Sequence, residues 1–293
     1  MIWKPKIIYY CGGGFKVFSV TGVLPLLKKF GLLDDVHTYA GTSAGGLMAF
    51  LCVINYTPEE IFNILYDMDF TFYEKHISFT RLLNNESLLD STYIIELIEK
   101  LLNHKNIDKD ITLSDLCQKM NKDLVVFGAY EETGKEIKID KYSFPNEKVK
   151  DIIYQTMTIP ILLESKLLNN KKVIDGGLVA RYALWHFPLE QTLGIRYYND
   201  KTEINKFKYN PSIFNNITSN FNKILKMLNQ LMDALEYEKL KDKQIYEIYI
   251  YTYNVDTFTF DLTPELKKQL FISGIEATKK FIKNPFPQYY SCN

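Results

Sequence analysis

A serine lies within a short run of small residues, between an apolar strand pattern and an apolar helix pattern. The run is Gly41-Thr42-Ser43-Ala44-Gly45, and the apolar stretch 47–54 follows it. G-x-S-x-G in that setting is typical of a nucleophile elbow, in which small neighbours permit a turn sharp enough to expose the serine hydroxyl. The helix that follows directs its first N–H groups towards negative charge beside the serine. The pattern predicts Ser43 as the nucleophile of an acyl transfer.

Three consecutive glycines, Gly12, Gly13 and Gly14, follow the apolar run 7–11. Glycine accepts positive φ and leaves backbone N–H groups uncovered, so this loop is suited to binding an anion. Phosphate-binding motifs fit poorly, because G-x-x-x-x-G-K-[ST] is absent and Val17 stands where G-x-G-x-x-G needs its third glycine. The run favours an oxyanion hole, with a plain tight turn as the alternative.

An aspartate ends the short strand pattern 171–174 and is followed by two glycines, giving Asp175-Gly176-Gly177. At the end of a strand, a carboxylate is well placed to enter a site. Asp-Gly is also a common turn pair, so this run alone favours a β-turn.

Together the three motifs resemble those of the patatin-like phospholipase family. The run 12–16 resembles its loop G-G-G-x-[KR]-G, 41–45 its G-x-S-x-G, and 175–177 its D-G-[GA]. Two weaker resemblances are the segment 156–160, which leads to a proline, and the helix opening at 261–266. The likeness covers residues 6 to about 283. The chain departs from the family pattern at Val17 and over 179–184.

The resemblance implies a catalytic dyad in which Ser43 attacks an ester carbonyl and Asp175 accepts its proton. The oxyanion would be held by Gly12, Gly13 and Gly14. Supporting positions would be Lys16, Gly41, Thr42, Ala44, Gly45, Gly176 and Gly177. Neither a metal nor another cofactor is implied. The competing arrangement is a Ser–Asp–His triad with His186, although Trp185-His186-Phe187-Pro188 is typical of a packed aromatic segment.

Composition limits the classes of function. The 293 residues carry 35 basic and 35 acidic side chains, so no basic footprint for nucleic acid appears. No window approaches the ~18 apolar residues that cross a bilayer, and the N-terminal residues lack the shape of a signal peptide. Cys11 and Cys52 lie in apolar runs, which predicts buried thiols in a reducing compartment. We therefore expect a cytoplasmic protein.

Strand and helix patterns alternate along the chain. Strands are predicted at 6–11, 36–40, 123–130, 135–140, 172–175, 193–198 and 243–255, and helices at 19–30, 43–54, from 58, 91–102, 147–156, 211–240 and 264–283. This alternation predicts a three-layer α/β/α fold with a mainly parallel central sheet. We expect one patatin-like domain over 1–293, with a core at 6–283 and a small helical cap around 58–105.

Two segments are candidates for contact with a peripheral membrane surface. The aromatic segment 70–79 is suited to a lid or an interface, and the apolar stripe of 211–240 to docking on lipid. For both segments, packing within the protein is the favoured interpretation and membrane contact the alternative.

The function expected is a metal-independent acyl hydrolase of the phospholipase A type, cleaving phospholipid carboxylic esters. Alternatives are a neutral-lipid or lysophospholipid esterase, a catalytically weakened lipid-binding homologue, and a nucleotide-binding module that uses the glycine loop.

Overall fold

A mixed sheet organises the chain. The computed structural model describes residues 3–68, 87, 90–160, 162–199, 231–253, 255 and 262–290. Nine strands lie within these residues: β1 (Ile7–Tyr10), β2 (Thr38–Thr42), β3 (Asp123–Tyr130), β4 (Glu136–Ile139), β5 (Leu167–Leu168), β6 (Lys171–Asp175), β7 (Thr192–Tyr198), β8 (Gln244–Tyr251) and β9 (Gln288–Tyr289). Their order in the sheet is β5-β6-β3-β2-β1-β7-β8-β9, with β4 paired to β3.

Seven α-helices have bounds in the described residues: α1 (Val20–Lys29), α2 (Ala44–Val53), α3 (Pro58–Asp67), α4 (Thr92–His104), α5 (Leu113–Met120), α6 (Val149–Thr156) and α7 (Pro264–Lys283). Residues 231–240 are also helical, and short 3-10 helices occupy Gly14–Ser19, Gly176–Leu178, Leu184–His186 and Leu189–Gln191. The start of α3 follows from sequence, because Thr57 and Glu60 form a reciprocal capping box.

The centre of the sheet is parallel, as predicted. β1 lies between β2 and β7, β2 also pairs with β3, and β7 with β8, all in parallel. Every residue of β1 and β2 is buried, as expected for strands covered on both faces. The antiparallel pairs lie at the margins: β3 with β4 and β6, β5 with β6, and β8 with β9.

Two hydrophobic clusters lie on opposite faces of this sheet and complete the α/β/α layers. The larger contains the buried faces of α1, α2, α4 and α6, with α7 packed on α1 and β8. The smaller contains Tyr9, Phe127, Tyr182 and Leu184 together with Leu240 from the helical segment 231–240. Burial of apolar area on both faces is the main favourable term that holds these layers together.

The register along β3 positions the site. β2 pairs with β3 up to Thr42 opposite Phe127, and β6 pairs with β3 from Asp175 opposite Gly128. β4 pairs with residues 126–129 of β3, a range that includes residues paired with β2 and residues paired with β6. β4 must therefore lie along the opposite edge of β3, and β2 and β6 follow one another along the same edge. The ends of β2 and β6 are therefore adjacent.

Several predicted elements differ in detail. The elements α5, β5 and β9 were not predicted from the sequence, and the helix predicted from residue 19 is preceded by a 3-10 helix over Gly14–Ser19. The last long strand ends at Tyr251 rather than at 255.

Some predictions fall on residues that are not described. The aromatic segment 70–79 and residues 211–230 of the apolar stripe lie outside the described residues. Within the range predicted as a cap, α3 packs on α1 and α4 on α6, and the cap itself stays a prediction.

Cys11, Cys52 and Cys117 are free, buried thiols, which confirms the prediction for the first two. In the part of the chain that the structure describes, none of the helices has the length and apolarity needed to cross a membrane.

α1 and α7 pack backbone against backbone, which generates a stability prediction. A Cβ on Gly274 would lie 2.0 Å from the Ser19 carbonyl oxygen, so Gly274→Ala should overpack the contact. Overpacking costs about 1–3 kcal/mol and exceeds the ~1 kcal/mol gain in helix propensity. We expect a lower free energy of unfolding in urea titrations. Glu276→Ala, on the exposed face of α7, is the control and should change little; an unchanged Gly274→Ala protein would contradict the close packing.

Candidate active site

Ser43 occupies a strained turn between β2 and α2. Its φ is 56° and its ψ −130°, a combination that side chains rarely adopt outside functional sites. The flanking glycines make the turn possible, because a Cβ on Gly41 would lie 2.3 Å from the Gly45 carbonyl oxygen and one on Gly45 would lie 2.2 Å from that of Tyr10. Ser43 is half-buried. The geometry is that of the predicted elbow.

The Asp175 carboxylate lies beside this serine. Ser43 Oγ donates a hydrogen bond of 2.6 Å to Asp175 Oδ2, and the Gly177 N–H donates one of 2.7 Å to Asp175 Oδ1. The Asp175 N–H donates to the Thr158 carbonyl at 2.8 Å. Both carboxylate oxygens and the backbone are thus fixed, and the serine proton is already directed at the carboxylate.

The Asp175 side chain is buried, at 3% exposure. Burial raises the pKa of its carboxyl to about 7, and the hydrogen bonds from Ser43 and Gly177 offset only part of that rise. The physical cause is desolvation, which disfavours the charged form of an acid. A buried carboxyl with a pKa near neutrality is a candidate for proton transfer.

The glycine loop follows β1 and lies against the elbow. A Cβ on Gly12 would lie 3.5 Å from Ser43 Cβ. The Gly12 N–H donates to the Arg181 carbonyl at 2.9 Å, so this N–H is already used. Of the predicted oxyanion residues, Gly13 and Gly14 have N–H groups without a protein acceptor among the described residues. Gly14 has a φ of 56°, which explains why glycine suits that position.

Packing positions both the glycine loop and the residues that follow it. A Cβ on Gly13 would lie 2.8 Å from the Tyr197 ring, so the ring fixes the path of the loop and requires glycine there. Val17, where the family pattern has glycine, is 5% exposed within the 3-10 helix Gly14–Ser19. It contributes to the core and keeps an ordinary negative φ. Lys16 is half-buried in the same turn.

Thr156 is a site residue to which the sequence analysis gave no role. The Ser43 N–H donates to Thr156 Oγ1 at 3.1 Å, and that hydroxyl donates to the Phe127 carbonyl at 3.1 Å. The Ser43 N–H is thereby occupied, and the elbow is tied to β3. The available signal was only the weak resemblance of segment 156–160, because the contact spans 113 residues.

The remaining predicted positions are brought to the same edge of the sheet. Thr42 is buried with its hydroxyl 2.6 Å from the Tyr9 hydroxyl. Ala44 begins α2. A Cβ on Gly176 would lie 2.5 Å from the Phe127 carbonyl oxygen, and one on Gly177 would lie 3.0 Å from Asp175 Oδ1. Small residues are therefore required on both sides of the serine and after the aspartate.

His186 does not join the serine and the aspartate. Its Nε2 contacts Glu136 Oε1, and its ring packs on Phe127 with centroids 5.1 Å apart. Since Asp175 binds Ser43 directly, the described residues form no Ser–His–Asp chain at this site. The segment 185–188 is a packed aromatic segment, as the sequence pattern indicated.

Comparison with known proteins places these motifs in a family. A family model described as patatin-like phospholipase matches residues 11–187. "Probable lipid hydrolase 463L" of Invertebrate iridescent virus 6 is 28% identical over 201 residues, which are 68% of this chain and 66% of that protein, just under two thirds of its length. "Uncharacterized protein R571" of Acanthamoeba polyphaga mimivirus is 23% identical over 286 residues, or 94% of this chain and 93% of that one.

Among solved structures, VipD from Legionella pneumophila has a similar fold. The two match with a TM-score of 0.61 at 14% identity, over 98% of this chain and 68% of VipD. At that identity the likeness concerns the fold alone.

The buried Asp175 carboxyl generates a stability prediction with a defined sign. Its pKa is about 7 in the folded chain and about 3.9 in the unfolded chain. Between these pH values the unfolded chain loses the proton more readily, so the free energy of unfolding falls as pH rises, by up to about 4 kcal/mol. Asp175→Asn removes this penalty. Its free energy of unfolding, relative to wild type, should rise between about pH 4 and about pH 8.

Asp140→Asn is the control of opposite sign. Burial of Asp140 is outweighed by hydrogen bonds from Ser143 and Lys138, so its pKa lies below the usual range and ionised Asp140 stabilises the fold. Asp140→Asn should therefore lose stability near pH 8. If Asp175→Asn also lost stability there, the Asp175 carboxyl would not be a destabilising buried charge.

Proposed function

The chain belongs to the patatin-like phospholipase family, and on that premise we propose that it is a lipid acyl hydrolase that cleaves phospholipid carboxylic esters. Ser43 is the nucleophile and Asp175 the general base. The observation that carries the proposal is the 2.6 Å hydrogen bond from Ser43 Oγ to Asp175 Oδ2. It lies beside a loop in which the Gly13 and Gly14 N–H groups have no acceptor among the described residues.

The reaction proceeds in two steps. Ser43 Oγ attacks the ester carbonyl carbon as its proton passes to Asp175 Oδ2, and the carbonyl oxygen becomes an oxyanion. The tetrahedral intermediate collapses, the alcohol leaves with the proton from Asp175, and an acyl-serine remains. Water then attacks the acyl-serine and gives a proton to Asp175. Collapse releases the fatty acid and returns the proton to Ser43.

The environment of Asp175 suits this role. A carboxylate with an ordinary pKa of about 3.9 is a weak base towards a hydroxyl. Burial raises the pKa of Asp175 to about 7, which increases its proton affinity while leaving it ionised above neutrality. A base is most effective when its pKa lies near the working pH.

The N–H groups of Gly13 and Gly14 and the N-terminus of α2 stabilise the oxyanion. The N–H groups of Gly12 and Ser43 are excluded as donors because they bind Arg181 and Thr156. Fixed backbone donors need no reorganisation as charge develops, and each such donor contributes about 100- to 1000-fold to the rate in comparable sites. Lys16, in the same turn, adds positive potential.

The substrate class is supported by the family and by the relative named a lipid hydrolase. Because lipid esters lie at a lipid–water interface, we propose that the protein acts as a peripheral protein at a membrane surface. A panel of diacyl phospholipids, lysophospholipids and triacylglycerols separates the phospholipase proposal from the two esterase alternatives.

The direct experiment measures fatty-acid release from phosphatidylcholine vesicles with EDTA present. Wild type should be active, and both Ser43→Ala and Asp175→Asn should lose at least ~1000-fold in kcat, because triad-type groups act as a unit. Circular dichroism checks folding. Activity that survives in folded Ser43→Ala would refute the nucleophile, and wild-type protein that binds vesicles without turnover would favour a lipid-binding homologue.

A second experiment separates an aspartate base from a histidine base. With Asp175 as the base, kcat/KM should rise with pH and level off above about pH 7, following the pKa of that carboxyl. A histidine titrates in the same range, so the profile is measured in His186→Ala as well. We expect the same profile and a rate within about threefold of wild type. Loss of the activity in this variant, with its fold intact, would instead support the triad.

A further inference from the structure

Glu236 is a buried carboxylate that the proposed reaction does not use. It lies in the helical segment 231–240, beyond the residues 11–187 that match the family model, and its exposure is 3%. Most residues of that segment are exposed. Burying a charged side chain costs free energy unless the charge is paired and hydrogen-bonded. The partners of Glu236 therefore indicate why it is buried.

The partners of Glu236 are concentrated on one short stretch of backbone. Glu236 Oε1 accepts the N–H of Arg181 at 2.8 Å and the N–H of Tyr182 at 3.1 Å. Glu236 Oε2 lies 3.7 Å from the Arg181 guanidinium, which also binds Asp233. One oxygen therefore fixes two consecutive peptide groups, and the other faces a compensating charge.

One of these two peptide groups also holds the glycine loop. The Tyr182 N–H and the Arg181 carbonyl belong to the same planar unit and point in opposite directions. The N–H faces Glu236, and the carbonyl accepts the Gly12 N–H at 2.9 Å. Rotation of this plane would break both hydrogen bonds together. The orientation of Gly12, and with it the direction of the next two N–H groups, depends on that plane.

We propose that Glu236 is a positioning residue for the glycine loop: its Oε1 atom orients the Arg181–Tyr182 peptide, whose carbonyl fixes Gly12 and so aims the N–H groups of Gly13 and Gly14 at Ser43. The kinetic part rests on the proposed function, since the loop matters for rate only if it holds an oxyanion. The segment 179–184, which departs from the family pattern, is the connection between helix and loop.

Two conservative variants distinguish hydrogen bonding from charge. Glu236→Gln keeps an oxygen at the position of Oε1 and removes the charge. Glu236→Asp keeps the charge beside Arg181 and withdraws the oxygen by one methylene group. Glu238→Gln and Glu238→Asp are matched controls, because Glu238 lies in the same helical segment, is exposed, and pairs only with Lys241 among the described residues.

The expected change in kcat is set by how much one oxyanion donor contributes to the rate. Glu236→Asp should lower kcat about tenfold, less than the loss of a donor would, and leave KM within about twofold. Glu236→Gln should keep kcat within about threefold of wild type, as should both Glu238 variants. Equal kcat in wild type and folded Glu236→Asp, or equal losses in the two Glu236 variants, would overturn the proposal.

Amide hydrogen exchange supplies a test that does not depend on activity. In Glu236→Asp, exchange in a peptide covering residues 11–18 should accelerate at least ~10-fold, while the strands β2 and β3 keep their protection. Unchanged exchange in that peptide, or acceleration throughout the molecule, would overturn the positioning role. If wild type hydrolyses no lipid ester, the proposed function fails while the exchange result still decides whether Glu236 holds the loop.

Discussion

The site depends on one register constraint in the sheet. Along one edge of β3, Phe127 is the last residue to pair with β2 and Gly128 the first to pair with β6. The chain therefore leaves β2 at Ser43 directly beside the end of β6 at Asp175. The register of these strands is specified strongly, because a slip of one residue would move every side chain of a strand to the opposite face of the sheet, into the other hydrophobic cluster. A hydroxyl and a carboxylate 132 positions apart in sequence are thus held at 2.6 Å.

The constraint has a cost in stability, which the surrounding packing offsets. Ser43 adopts a positive φ, and strained backbone of this kind costs about 1–3 kcal/mol. Asp175 keeps an ionisable group inside the protein, where burial raises its pKa. The neighbouring backbone approaches so closely that a Cβ on Gly41, Gly45 or Gly176 would lie 2.2–2.5 Å from a carbonyl oxygen. Ser43 and Asp175, for which we propose chemistry, thus carry backbone strain and a desolvated carboxyl, as expected where function opposes stability.

Support for the glycine loop comes from elements far away in the chain. Gly12 is fixed by the carbonyl of Arg181, the peptide of Arg181 by Glu236, and Gly13 by the ring of Tyr197. The departures from the family pattern at Val17 and over 179–184 are consistent with this arrangement. Val17 is part of the core, and within the 179–184 segment the backbone N–H groups of Arg181 and Tyr182 donate to Glu236. Ser43 Oγ donates to Asp175 and the Gly177 N–H fixes the other carboxylate oxygen in the presence of both departures.

The local motifs were determined by the sequence alone. Small residues around Ser43, the glycine triplet and the aspartate before two glycines are short-range patterns, which a sequence displays directly. The atoms that exclude a side chain at Gly45 and Gly176 nevertheless belong to Tyr10 and Phe127, which are distant in sequence. The alternation of strands and helices likewise predicted the mainly parallel sheet. The start of α5 was also predictable, because Thr112 accepts the Asp115 N–H and T-x-x-D is a sequence signal for such an N-cap. Other properties were decided only by the tertiary structure. The Gly12 N–H donates to the Arg181 carbonyl, and the Ser43 N–H donates to Thr156. Burial raises the pKa of Asp175 to about 7, and Glu236 is buried. These properties depend on desolvation and on hydrogen bonds between residues far apart in sequence, which exist only once the sheet has brought its strands together.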